Sequence, residues 1–250
     1  MISRPNPPLL QREEAGFAAD EDSPRLFAAL HVYRDITSRS AAMNMAVDEA
    51  LLQSATVPTV RFYRWDHPAL SFGYFGKFAD VSTYQSKRDI VRRWTGGGIV
   101  FHGDDLTYSI VIPASSAVFC ESSISIYERT HAAIRAALIR NGEKAELSPG
   151  VDDCGSTVNS AGAMCFTNPV RSDVIRNGQK IAGAAQRRNR AGLLQQGSIQ
   201  NVDLPASFEN ELAEQLSAGF VARQIEPRLL EQAQKIAENK YGNPVWLRKR

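Results

Sequence analysis

The sequence predicts an α+β domain, a mixed, mainly antiparallel sheet flanked by helices. Strand-like runs follow one another across glycine and asparagine turns, and the helical stretches stand at the ends of these runs rather than alternating strictly with them. At 250 residues, 43% hydrophobic and 22% charged, the chain can bury one substantial core and shows the bias of neither a disordered nor a fibrous protein.

Residues 1–24 mix Pro, Glu, Asp and Gln with few large apolar side chains, so a loosely held arm over 1–30 and a single domain over 31–250 are expected. Ser40 caps a helix whose apolar face is Met43, Val47, Ala50 and Leu51. Asp48 and Glu49 fall mid-helix, where carboxylates read as solvated; otherwise Asn44 and Asp48 brace a neighbouring loop. Residues 58–65 and 69–74 flank the Asp66-His67-Pro68 turn and predict two strands joined by a tight connection. A short helix is expected over 80–87 and a third strand over 90–93. Thr95-Gly96-Gly97-Gly98 leads to strands at 99–102 and 106–112, expected to pair around a Gly103-Asp104-Asp105 turn.

Ser125 and Glu128 form a capping-box pattern for a helix through Ile134, Leu138 and Ile139, ended by Asn141-Gly142. The Gly, Ser, Asn and Asp density of 152–163 predicts a mobile loop that delivers the chain to Cys165. From 173 to 199 a three-stranded meander is expected, turning at Asn177-Gly178 and again over 189–192. Helices over 209–218 and 227–241 close the chain, the second with Leu229, Leu230, Ala233 and Ile236 on one face.

Charge and composition narrow the function classes. Lys plus Arg number 29 against 27 Asp plus Glu, too small a bias to argue for a nucleic-acid partner, although 187–190 and the Arg248-Lys249-Arg250 tail are locally basic. That tail reads as a solvated rim. The longest weakly polar run, 110–119, is broken by Pro113 and falls far short of the roughly 20 residues of a membrane helix. No apolar block near the N-terminus resembles a secretion signal, so a cytoplasmic protein without a membrane partner is expected. Cys120, Cys154 and Cys165 form no CxxC pair and the four histidines lack ligand spacing, so neither a metal site nor a disulfide framework is expected.

Gly96, Gly97 and Gly98 can expose backbone N–H groups to a phosphate, a carboxylate or a thioester carbonyl, or serve only as a turn. The spacing is neither that of a P-loop nor that of a dinucleotide fingerprint. Arg92 and Arg93 upstream would add guanidinium forks for an anion. His102 ends a strand beside Asp104 and Asp105 and reads as structural or catalytic. Cys165 reads as an inert buried thiol or a nucleophile. Lys180, in an apolar strand just after a glycine turn, needs a partner to be buried there, and Gly183, Ala184 and Ala185 leave room for a substrate.

Arg92-Arg93-Trp94-Thr95-Gly96-Gly97-Gly98-Ile99-Val100-Phe101-His102, with Leu106-Thr107-Tyr108-Ser109 behind it, resembles the signature of the lipoate and octanoate protein ligase/transferase family, whose fold is that of the biotin/lipoate protein ligase catalytic domain. Lys180-Ile181-Ala182-Gly183-Ala184-Ala185-Gln186 resembles its KxxGxAQ strand, and residues 43–51 its first helix. The likeness spans roughly 40–205. Cys165-Phe166, Pro169, Asp173, Lys180 and Gln195-Gln196-Gly197-Ser198 are similar to the single-domain octanoyltransferases that work through a cysteine.

The resemblance implies an acyltransferase that takes octanoate from acyl carrier protein, holds it as a thioester on Cys165 with Lys180 as partner, and passes it to the lysine of a lipoyl carrier domain, of the glycine cleavage H protein or 2-oxoacid dehydrogenase E2 type. It implies a substrate site of Arg93, Thr95, Gly96, Gly97, Gly98, His102, Gly183 and Ala185, and no cofactor. The alternative is a lipoate-protein ligase using ATP and Mg through an acyl-adenylate, with Cys165 a bystander; a degenerate member that only binds lipoyl domains or acyl groups is a third reading. The chain departs from the family pattern at Gly103, which precedes Asp104, at Ser172 before Asp173, and at Gln196, where many members have His.

Overall fold

The structure, a computed structural model, describes residues 25–150 and 169–249. The elements run β1 (Leu30–Arg34), α1 (Ala41–Ser54), β2 (Thr59–Tyr63), β3 (Ala69–Phe72), β4 (Asp89–Arg92), β5 (Ile99–His102), β6 (Leu106–Pro113), α2 (Ser123–Arg140), β7 (Glu146–Leu147), β8 (Val174–Arg176), β9 (Gln179–Arg188), β10 (Gly192–Ile199), α3 (Phe208–Leu216), β11 (Phe220–Arg223), α4 (Pro227–Ile236) and α5 (Pro244–Leu247). The larger sheet has the order β11-β1-β2-β6-β10-β9-β8-β7, antiparallel except where β1 lies parallel to β11 and β2. A smaller sheet has the order β4-β3-β5. The fold is α+β, a mainly antiparallel sheet flanked by helices.

Alternation along β6 explains how the larger sheet serves two purposes. Successive strand side chains point to opposite faces, so Leu106, Tyr108, Ile110 and Ile112 enter the core beneath α2 and α3. Thr107, Ser109 and Val111 turn to the side of α1, where Val111 joins a second apolar cluster with Met45, Val47 and Leu51. Burying a side chain of the Leu or Phe class contributes about 1.5–3 kcal/mol, so the first cluster anchors the sheet, while its other face holds polar groups such as Thr107 and Ser109 beside the second cluster. Leu26 and Phe27 already belong to that first cluster, ahead of β1.

Ser40 caps α1 as expected, its Oγ accepting from Met43 N at 3.3 Å. The meander over β8, β9 and β10 also forms, with Asn177 and Gly178 at φ 51° and 76°, the left-handed conformation that makes Asn-Gly a hairpin turn. β2 and β3 form as expected but do not pair with each other, because the turn between them carries the chain from the larger sheet to the smaller. One strand expectation is corrected. β5 and β6 separate in the same way: β5 pairs with β3, and β6 with β2 and β10. β1, β7 and β11 form where the sequence carries no strong local strand signal.

Two helical starts also differ. α2 begins at Ser123 under the Ser122 cap, whose Oγ accepts from Ser125 N, while Glu128 reaches Arg171 instead of a cap. Short 3-10 turns at Phe78–Asp80 and Ser82–Tyr84 replace the helix expected over 80–87. No described helix is long and apolar enough to cross a membrane. The loop expected over 152–163 lies outside the described residues.

Candidate active site

A narrow cleft of about 40 Å³ opens on the α1 side of the larger sheet. α1 contributes Met45; Tyr63 and Trp65 come from β2 and the turn after it; Ser71, Arg93, Val100 and His102 come from the smaller sheet and its edge; β9 and β10 supply Lys180, Gly183, Ala184, Ala185, Gln196, Gly197 and Ser198. Five expected site residues, Arg93, His102, Lys180, Gly183 and Ala185, therefore meet at one place. Cys165 lies outside the described residues.

Lys180 is buried, and its Nζ lies 2.8 Å from Asp173 Oδ2. The same carboxylate accepts from Val170 N at 2.7 Å and, through Oδ1, from the Tyr127 hydroxyl at 2.5 Å. Tyr127 in turn accepts from Ala184 N, tying helix α2 to the cleft strand. Burial, then the Asp173 charge, raise the Tyr127 phenol far above its ordinary value, so it stands as a neutral donor. Behind it His131 is fully buried and brought down to about 3, first by burial and then by Lys180, so it is neutral. The result is a lysine held by a carboxylate that is itself held from two other directions.

His102 is also buried and kept neutral, chiefly by desolvation. Its ring stacks on Trp65 at 4.1 Å, with Nε2 2.7 Å from Ser71 Oγ and Nδ1 2.8 Å from Asp105 Oδ2. Burial alone would raise the Asp105 carboxyl, but His102, the Ser198 hydroxyl and Gly103 N–H hold it down at about 2. The inserted Gly103 thus makes Asp105 the partner of His102, while Asp104 is exposed.

Thr95, Gly96, Gly97 and Gly98 do not line the cleft as Arg93 does; Thr95 reaches its wall through Gln196, to whose Oε1 its Oγ1 donates at 2.8 Å. Arg93 donates to Gly96 O and Gly98 O at 3.0 Å each and to Ser71 Oγ at 2.7 Å, fixing the loop between them. Gly73 explains how the loop packs so closely, since a Cβ there would lie 2.0 Å from Gly97 O. Arg92 does not join an anion site. Its guanidinium donates to the carbonyls of Tyr74, Gly76, Trp246, Leu247 and Lys249, a clamp on the segment after α4.

The solvated reading of Asp48 and Glu49 is overturned, for both are buried. Asp48 accepts from Arg61 at 2.7 Å, Tyr63 at 3.0 Å, Ser109 at 2.8 Å and Gln196 at 2.7 Å. Glu49 accepts from Lys240 and Tyr241. Asn44 braces its surroundings as the other reading had it, donating to Arg39 O and Arg64 O. Gln196 thus links the Asp48 network to Thr95 beside the glycines. Of the residues that sequence reasoning left out of the site, Asp173 had a usable signal: it lies seven residues before Lys180, across the Asn177-Gly178 hairpin. Tyr127 and Gly73 had none, since their partners are remote in the chain.

The lipoyl protein ligase A/B catalytic domain matches residues 40–220. Octanoyltransferase LipM of Oceanobacillus iheyensis is 39% identical over 177 residues, 65% of this chain and 61% of that protein, so the chain spans about three fifths of that relative's length. Octanoyltransferase LipM of Macrococcus caseolyticus is 33% identical over 199 residues, 73% of this chain and 72% of that protein. Among solved structures, lipoate-protein ligase A bound with ATP has TM-score 0.66 at 21% identity, over 88% of this chain and 98% of that one. A chain from the bipartite lipoate protein ligase and E2 lipoyl domain of Thermoplasma acidophilum has TM-score 0.64 at 20% identity, over 88% of this chain and 95% of that one. These two likenesses establish the shared fold. The matched residues run from the cap of α1 to β11 and take in every cleft strand, and the chain belongs to the lipoyl protein ligase A/B catalytic domain family.

Proposed function

We propose that this protein is an octanoyltransferase of protein lipoylation, moving an octanoyl group from acyl carrier protein through a Cys165 thioester to the lysine of a lipoyl carrier domain. The observation that carries the reading is the buried Lys180–Asp173 pair at the cleft wall, beside Gly183 and Ala185, in a chain whose relatives include octanoyltransferases. The cleft is lined mostly by apolar atoms, which suits a saturated acyl chain.

In the first step the Cys165 thiolate attacks the donor carbonyl, the new carbon–sulfur bond forms, and the carrier thiol leaves and takes up a proton. In the second, the neutral amine of the acceptor lysine attacks the enzyme thioester, loses a proton and releases the Cys165 thiolate. Lys180 would stabilise the thiolate and the carbonyl oxygen as negative charge develops there. A thioester exchanged for an amide runs downhill, so this route uses neither ATP nor Mg.

Incubation with octanoyl carrier protein tests the reading. The intact mass should rise by one octanoyl group in the wild type and not in Cys165→Ser, and the group should then pass to a lipoyl domain without ATP. A Cys165→Ser protein that transfers lipoate at full rate with ATP and Mg would replace this reading with the ligase.

A further inference from the structure

Two basic segments far apart in sequence meet on the surface beside the cleft. Arg187, near the end of β9, and Lys249, beyond α5, each lie 5.1 Å from the ring centre of Tyr74. Arg187 also faces Trp94 at 5.3 Å and Lys249 faces Trp246 at 5.4 Å. Lys240 lies over the same two indoles, 4.0 Å from Trp94 and 4.5 Å from Trp246. The cations feel one another: burial lowers the Lys240 pKa most, and Arg187 and Lys249 lower it further against the pull of Glu49.

The positive charge is only partly answered. Glu49 pairs with Lys240 at 2.6 Å, but neither Arg187 nor Lys249 has a carboxylate within ion-pair distance among the described residues. The Nε of Arg187 is buried without a hydrogen-bond partner. Phe75 stands against Tyr74 edge to face at 5.0 Å and is 82% exposed. Cations held on aromatic faces beside a projecting phenyl ring are a surface that charge and apolar contact can both engage.

We propose that Arg187, Lys240 and Lys249, with Phe75 as apolar anchor, form the docking surface for an acidic carrier protein that delivers the acyl group. This rests on the transferase reading above. Reach selects the donor over the acceptor. Arg187 is seven residues along β9 from Lys180, about 23 Å in extended strand, and the side chain of an acceptor lysine spans only about 6 Å at bond lengths near 1.5 Å. A donor thioester at the end of a long flexible prosthetic arm bridges such a gap. Arg187 is also two residues from the cleft residue Ala185 on the same strand face, so the arm has a continuous path inward.

Charge reversal in the full-length chain tests this, with Arg187→Glu/Lys249→Glu and, at the exposed position alone, Lys249→Glu. Acyl-free holo carrier is titrated by fluorescence anisotropy at low and high salt. Acyl-enzyme formation is followed by intact mass from octanoyl carrier protein, from octanoyl-phosphopantetheine and from the neutral octanoyl-N-acetylcysteamine. The double variant should bind carrier at least about tenfold more weakly, lose the salt dependence, and react slowly only with the carrier donor; the single variant should move the same way by less. Unchanged carrier binding overturns the proposal. So does an equal loss with octanoyl-phosphopantetheine, which makes the patch a phosphate site, or with the neutral thioester, which makes it part of the fold. Patch-dependent binding of carrier by a wild type that no donor acylates would sink the transferase reading and leave the surface standing.

Discussion

A Cβ on Gly183 would fall 2.2 Å from Cε and 2.5 Å from Nζ of Lys180, so the lysine occupies the space that any larger residue at 183 would need. The clash is with the far end of a flexible side chain, which can swing away without moving backbone. Gly183→Ala should therefore still fold while losing the buried Lys180–Asp173 pair, at a cost of about 3 kcal/mol in urea unfolding. Octanoyl transfer should fall by about a hundredfold, the scale of losing one preorganised charge at a reacting carbonyl. Unchanged transfer by a folded variant would count against Lys180 as the partner of the acyl group.

Asp48 is a stability element before it is anything else. It answers the fully buried Arg61 together with Asp35, and it gathers Tyr63, Ser109 and Gln196. Removing one partner leaves a buried charge short of compensation, so Asp48→Ala should cost about 3 kcal/mol in urea unfolding. Asp48→Asn keeps the shape and an acceptor and should cost less.

Gly73 makes a prediction of the opposite kind from Gly183, because its neighbours are backbone. A Cβ there would lie 2.0 Å from Gly97 O and 2.6 Å from Gly96 O. Gly73→Ala must push the glycine loop off Arg93, with a loss of about 1–3 kcal/mol. The concentration of acyl donor at half-maximal rate should rise, and a donor titration on the folded variant measures it.

Acid should weaken the fold through His131. Its ordinary value is 6.5 and burial, then Lys180, bring it to about 3, so the unfolded chain binds a proton there that the native state refuses across that interval. Stability is thus full above about pH 6.5 and falls as the pH drops toward 3, by a few kcal/mol in all. His102 is lowered too and acts in the same direction. Urea melts from pH 7 to pH 4 should show the slope, and His131→Phe should flatten it.

Where two partners sit close in the chain, the sequence was readable. Asn177-Gly178 announces a hairpin because few other residues adopt its positive φ angles, and the hairpin carries Lys180 past Asp173. The capping serine of α1 acts on Met43, three residues on. The smaller sheet was not readable, since β3 pairs with β4 in parallel and with β5 across intervening chain, and no turn between neighbours encodes either choice. Asp48 was misjudged for the same reason. A carboxylate in a helix looks solvated until Gln196, 148 residues downstream, is known to lie over it.

Arg92 ties these distant pieces to the timing of synthesis. Its guanidinium joins the carbonyls of Tyr74 and Gly76, near the glycine loop, to those of Trp246, Leu247 and Lys249, contacts separated by more than 150 residues. Contacts of such long range form late because their loop must close first. While the chain is still on the ribosome, then, the strand that leads into the glycine loop lacks its clamp, and gains it only after residues 246–249 have emerged and closed over Arg92.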